Sequence, residues 1–305
     1  MSRLMVTGAT GFVGRHLCQI AGNCYRVIRH KPTEADGSFI VVPELDGSVD
    51  WAHLIPMDVE CIVHLAGIAH NTSSDEDYVR RINVDGTLHL AEQAALAGVK
   101  RFVFVSSIGV NGQQTVEAPF TPTDRASPSN AYTRSKHEAE LDLQNLSESM
   151  GFELVIVRPT LVYGPDAPGN FGLLANLVKH VPLLPFGSIH NSRDFITVHN
   201  LADLLVTCST HKNAPGHIFL ASDGETVSIK DFTNAIAKGL NKKLIQLPVP
   251  VSLMYLAARI VGKQAMAEQL LGNLQVDSSN AQDVLGWVPP YTMEQVMASL
   301  SENKK

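Results

Sequence analysis

"RLMVTGATGFVGRHL", residues 3–17, decides the fold. An aliphatic run, Leu4–Val6, ends in Thr7 and meets three glycines, Gly8, Gly11 and Gly14. An amphipathic stretch follows without interruption. The pattern predicts a buried strand, a tight turn and a helix. Glycine permits the turn and lets a ligand approach the backbone, and the helix N-terminus then faces an anion. Gly8, Thr10, Gly11, Phe12, Val13 and Gly14 are therefore the candidate cradle for a dinucleotide pyrophosphate.

Outward from this unit the rhythm repeats. Strands are expected at 3–7, 25–28, 39–42, 61–66, 101–106 and 153–158, and helices at 11–21, 51–55, 76–97 and 130–149. Nearly continuous β-branched runs point to strands covered on both faces, hence a parallel sheet. The alternation predicts an α/β fold with a doubly wound parallel sheet, Rossmann-type. Beyond Arg158 the rhythm is lost among Pro159, Pro165, Pro168, Pro182 and Pro185. A helix at 200–209 and a strand at 217–221 follow, then mostly helix. The expected division is a dinucleotide-binding domain of residues 1–158 plus about 193–221. A smaller, discontinuous substrate domain takes 159–192 plus 222–305.

The chain's 305 residues, 45% hydrophobic and 18% charged, suit a large folded core. A formal charge of −6 with no basic block weighs against a nucleic-acid partner. Cys18, Cys24, Cys61 and Cys208 are scattered, without metal or disulfide spacing. No signal peptide precedes the first strand. The apolar stretch at 251–262 is too short and interrupted to span a bilayer, which leaves a membrane-surface role as its lesser alternative. Cytoplasmic residence with no transmembrane segment is expected.

The second strand ends "YRVIRHK". Arg29, His30 and Lys31 stand where an acid would read the ribose 2′-hydroxyl of NAD(H). A basic residue can instead pair with a 2′-phosphate, which favours NADP(H), with NAD(H) the other possibility.

Ser106 and Ser107 end a buried strand, at the edge where open α/β sheets bind ligands. Tyr132 and Lys136, four apart, share one helix face. An ammonium beside a phenol lowers the phenol's pKa, and such a tyrosine can exchange a proton with a sugar alcohol or ketone. His64 and His70 lie six apart in "HLAGIAH" without a metal-ligand set. His64 reads as a packed strand-end residue, and His70 as a candidate for the substrate cleft.

Together "TGATGFVG", "HLAG", "NVDGT", "VSSIGVNG", Tyr132–Lys136, "RPTLVYGP" and "RDFITVHNLAD" resemble the extended short-chain dehydrogenase/reductases, in particular the nucleotide-sugar epimerase/dehydratase/4-keto-reductase group. The resemblance implies a Ser107–Tyr132–Lys136 triad. It implies cofactor contacts at Leu65, Ala66, Gly67, Asn83, Ser106, Tyr132, Lys136 and Pro159. It further implies a UDP-sugar substrate held by Ser107, Asn170 and Arg193, and a homodimer. A second phosphate-binding Arg, common in relatives before the final "D-x-S-K/N-A" motif, is missing from "LLGNLQVDSSNA".

Three functions follow from the resemblance. The one favoured at this stage is NADPH-dependent reduction of a UDP-4-keto-6-deoxy-N-acetylhexosamine for surface polysaccharide. The alternative is a UDP-sugar 4-epimerase that retains NAD. The third is a non-catalytic nucleotide-binding module, against which the intact triad argues. A dehydratase is disfavoured because Ile108–Asn111, after Ser107, contain no acid.

Overall fold

The computed structural model describes residues 3–30, 38–68 and 75–301. The chain runs β1 (Arg3–Thr7), α1 (Phe12–Ala21), β2 (Cys24–Ile28), β3 (Phe39–Val41), β4 (Val59–His64), α2 (Glu76–Arg80), α3 (Gly86–Leu96) and β5 (Arg101–Val105). It continues through α4 (Ala131–Met150), β6 (Glu153–Pro159), β7 (Leu161–Tyr163), α5 (Gly169–His180), β8 (Leu183–Leu184), β9 (Arg193–Thr197), α6 (Val198–Thr210) and β10 (Ile218–Ala221). Last come β11 (Thr226–Val227), α7 (Ile229–Gly239), β12 (Ile245–Gln246), α8 (Val251–Ile260), α9 (Gln264–Leu271), α10 (Ser279–Leu285) and α11 (Met293–Ala298).

Seven strands form one parallel sheet in the order β10-β6-β5-β4-β1-β2-β3. Side chains alternate across it. Leu4, Val6, Val63, Val103 and Val155 point into one core with α1 and α6 residues such as Leu17 and Leu204. Met5, Ile62, Phe102, Phe104 and Ile156 point into another with Leu90 of α3 and Leu143 of α4. A sheet apolar on both faces explains why its strands read as unbroken hydrophobic runs. A third core, around Tyr163, Phe171, Phe195 and Phe232, is built by residues beyond β6. All six strands expected in the first half form, and β10 returns to the sheet beside β6.

Two helix expectations are corrected. Residues 51–55 make one tight turn, with the Leu54 and Ile55 amides donating to the Trp51 carbonyl, and Pro56 ends it. Trp51, fully buried, makes this turn a plug for the core rather than a helix. The helix expected over 76–97 is interrupted by a π-helical turn, Arg81–Asp85. That wider turn carries the buried Asn83, whose side-chain hydrogen bonds offset the distortion.

Candidate active site

In this strand order the connections leave β1 and β4 toward opposite edges of the sheet, opening a crevice outside their C-terminal ends. Gly8 sits there at φ +69°, where a Cβ would meet the Ala66 amide nitrogen at 2.9 Å. A Cβ on Gly14 would run into the Gly8 carbonyl, so the turn and α1 pack backbone to backbone. Gly11, the helix N-cap, offers no side chain to the first amides of α1. Phe12, Val13 and Gly14 therefore present N–H groups that suit a pyrophosphate. Ser106 adds a buried hydroxyl without a partner among the described residues, and Pro159 ends β6 at the same sheet edge. These features fit a dinucleotide.

The loop after β4 is held by a one-way chain of hydrogen bonds. The Ala66 amide donates to Thr7 Oγ1 at 3.3 Å, and Thr7 Oγ1 lies 2.8 Å from His64 Nδ1. His64 Nε2 lies 3.0 Å from Thr87 Oγ1, which donates to the Asn83 carbonyl at 2.8 Å. An amide can only donate and a carbonyl only accept, so every proton in the chain is assigned. His64 carries its proton on Nε2 and receives one from Thr7 at Nδ1. Burial lowers its pKa to about 3, so it stays neutral. The expectation of a packed strand-end histidine holds, and among the described residues no group of His, Cys, Asp or Glu could hold a metal.

Asn83 completes the clamp. Its Oδ1 accepts from the Ile68 amide at 2.8 Å, and its Nδ2 donates to the Ile68 carbonyl and to Ser135 Oγ on α4. The amide group is thus committed to fixing Leu65–Ile68 against α4. A Cβ on Gly67 would lie 2.9 Å from Asn83 Oδ1 and 3.5 Å from Lys136 Nζ, so Gly67 keeps this contact close.

α4 starts at a capping box, Asn130 with Thr133, which sets the helix phase just before Tyr132. Ser107 caps a short 3₁₀ turn, Ile108–Val110, its Oγ accepting the Gly109 amide at 3.1 Å. The Ser107 hydroxyl faces the Tyr132 phenol and favours the ionised form. Burial outweighs it and pushes the phenol up to about 12. Lys136 is held from behind the site. Its ammonium donates to the Val105 carbonyl at 3.0 Å and lies 4.5 Å from the centre of the Phe104 ring. Burial lowers its pKa to about 8, opposed by the charge of Glu140. The pair shares a helix face as expected, but desolvation sets the titration of each.

Sequence reasoning missed the layer beneath. Glu140 and Arg158 form a buried ion pair, with Arg158 Nε 2.9 Å from Glu140 Oε1. Arg158 also donates to Asn111 Oδ1, whose amide donates to the Thr121 carbonyl. The signal lay in the spacing, because Tyr132, Lys136 and Glu140 fall at i, i+4 and i+8 on one face.

Two of the candidate substrate residues lie on elements beyond β6. Arg193 is buried and donates to the Gly272 carbonyl at 2.8 Å. It has no carboxylate partner among the described residues, because Asp194 binds Thr226 and the Val276 amide instead. Burial lowers its pKa to about 10, which still leaves a cation at neutral pH. A desolvated cation without a salt-bridge partner, although the charge of Asp194 still acts on it, suits a phosphate. Asn170 lies exposed in the first turn of α5. His70 and Lys31 lie outside the described residues. Arg29 and His30 follow β2 and are exposed. The charges of Arg29 and Arg81 both act on Tyr78, which donates to Glu44 Oε1 at 2.6 Å.

The chain is similar to known proteins along most of its length. Residues 4–221 match the model of the NAD dependent epimerase/dehydratase family. A UDP-glucose 4-epimerase of Vibrio cholerae is 40% identical over 304 residues, covering 96% of this chain and 92% of that protein. Two solved structures share the fold. A UDP-glucose 4-epimerase from Thermotoga maritima with UDP-glucose has a TM-score of 0.77 at 19% identity, covering 98% of this chain and 97% of that one. RMD from Pseudomonas aeruginosa complexed with NADPH has a TM-score of 0.75 at 23% identity, covering 99% and 98%.

Proposed function

The chain belongs to the NAD dependent epimerase/dehydratase family, and on that footing we propose that it is a UDP-sugar 4-epimerase. The observation that carries this reading is the 40% identity to a UDP-glucose 4-epimerase along nearly the whole chain. It reverses the order favoured by the sequence, in which the reductase came first. A bound nicotinamide dinucleotide would supply hydride removal and return at C4 of the sugar.

The chain's own groups handle the proton. Ser107 holds the C4 oxygen beside the Tyr132 phenol, and Tyr132 takes and returns the hydroxyl proton. Lys136, below its pKa of about 8, brings a cation to the same floor. A phenol is protonated at neutral pH and burial raises the Tyr132 pKa further, so forming the phenolate calls for positive charge nearby. Arg193 binds the diphosphate, Asn170 assists at the N-terminal turn of α5, and the core beyond β6 shapes the sugar pocket. Pairing through α4 makes the active form a homodimer.

One observation favours a second reading. Tyr132 as it stands is a proton donor, which is what reduction of a 4-keto sugar requires, and Arg29 with Arg81 suits the 2′-phosphate of NADPH. Two incubations separate the readings. Interconversion of UDP-glucose or UDP-GlcNAc with its C4 epimer, without added cofactor, supports the epimerase. NADPH oxidation seen only with a UDP-4-keto sugar, and no epimer formed, overturns it in favour of the reductase.

A further inference from the structure

The reaction leaves one surface unexplained. The apolar stretch at 251–262 folds as α8, which contains no buried residue despite its composition. Val251, Met254, Tyr255 and Ala258 lean on the core beyond β6. Leu253, Leu256 and Ile260, spaced three and four apart, form the opposite stripe and are 54%, 54% and 77% exposed. Val261 and Met266 extend the exposed apolar surface toward α9.

The segment around α8 is also basic in composition. The chain carries 30 acidic and 24 basic residues, yet residues 242–267 contain Lys242, Lys243, Arg259 and Lys263 and no Asp or Glu. All four cations are exposed. A helix with an aliphatic outer stripe and cations before and after it, Glu268 of α9 being the first acid beyond them, has the chemistry of an interfacial membrane anchor. A second copy of the chain fits less well. Seating α8 on its symmetry mate would bring Arg259 and Lys263 of both copies together with no carboxylate in the segment to pair them.

We propose that α8 docks the protein on an anionic membrane surface, with Leu253, Leu256 and Ile260 entering the headgroup boundary and Lys242, Lys243, Arg259 and Lys263 facing acidic lipid headgroups. The docking is reversible, because one short helix supplies few apolar side chains. It stands independently of the reaction proposed above.

Sedimentation with vesicles tests it. The full-length protein is expected to pellet at low salt with phosphatidylcholine vesicles containing phosphatidylglycerol, and to remain in solution with phosphatidylcholine alone. Raised salt releases it. Leu256→Glu combined with Ile260→Glu, and separately Arg259→Glu combined with Lys263→Glu, should each cut the bound fraction about tenfold. Unchanged circular dichroism and thermal midpoint in the variants would verify the fold. Absence of pelleting with anionic vesicles at low salt overturns the proposal, as does equal binding by the well-folded variants. A Leu256→Glu/Ile260→Glu variant that turns a dimer into a monomer, with no vesicle binding by the parent, assigns the face to a second copy and also overturns it.

Discussion

Replacing Lys136 with Met should disable the site and stabilise the protein at neutral pH. The ammonium is buried against Phe104, and its pKa is about 8 against 10.5 for a free lysine. The folded-state value is lowered, so the native protein carries a disfavoured charge at pH 7. Between about pH 8 and 10.5 the unfolded chain holds the proton and the native one does not, so stability rises with pH. A shift of this size corresponds to about 3 kcal/mol. Against it stands the hydrogen bond to the Val105 carbonyl, worth about 1–2 kcal/mol. Methionine fills similar volume and keeps an aromatic contact with Phe104. Lys136→Met is therefore expected to be about 1–2 kcal/mol more stable than the parent at pH 7 in urea unfolding. At pH 10 that advantage should vanish or reverse, because the parent has by then shed its buried charge. Turnover should fall on the order of a hundredfold or more. A variant less stable than the parent at pH 7, or a stability difference that does not change with pH, would refute the reasoning.

Tyr132→Phe should reduce turnover on the order of a thousandfold while nicotinamide cofactor binding, read by fluorescence titration, stays within about twofold. Glu140→Gln removes the carboxylate that raises the Lys136 pKa, so the alkaline limb of the pH–rate profile should move to lower pH. The same change leaves Arg158 buried without its counter-ion, at a cost of about 3 kcal/mol measured by chemical unfolding. Arg193→Gln should raise KM for the nucleotide sugar about tenfold or more with little change in kcat, because the interaction is with the non-reacting diphosphate. Arg29→Glu should weaken NADPH binding at least tenfold more than NADH binding if the 2′-phosphate is read there.

Much of this architecture could be read from residues 3–17 outward because its determinants are local. A strand apolar on both faces and a glycine turn opening a helix leave marks within a dozen residues, and the parallel order follows from their repetition. The helix expectations failed where tertiary contacts override local pattern. The turn at Trp51 exists to bury an indole, and the π-helical turn at Asn83 exists to reach Ile68 and Ser135. The site shows the same boundary. Spacing put Tyr132 and Lys136 on one helix face and the family resemblance pointed to Ser107, but their electrostatics could not be read from either. A helical face shows that a phenol and an ammonium are neighbours. It does not show that the ammonium turns to the Val105 carbonyl, or that burial outweighs the Ser107 hydroxyl at Tyr132. Ionising Tyr132 therefore calls for positive charge in addition to what the Ser107 hydroxyl supplies. Positive charge on a bound oxidised nicotinamide is the candidate in an epimerase, and a reductase would not need it. The titration of Tyr132 with and without oxidised cofactor therefore bears on function as directly as a turnover assay. A phenol pKa that drops on binding oxidised cofactor shows that Tyr132 can take up a proton as an epimerase requires, and one that stays near 12 leaves only the proton-donor role.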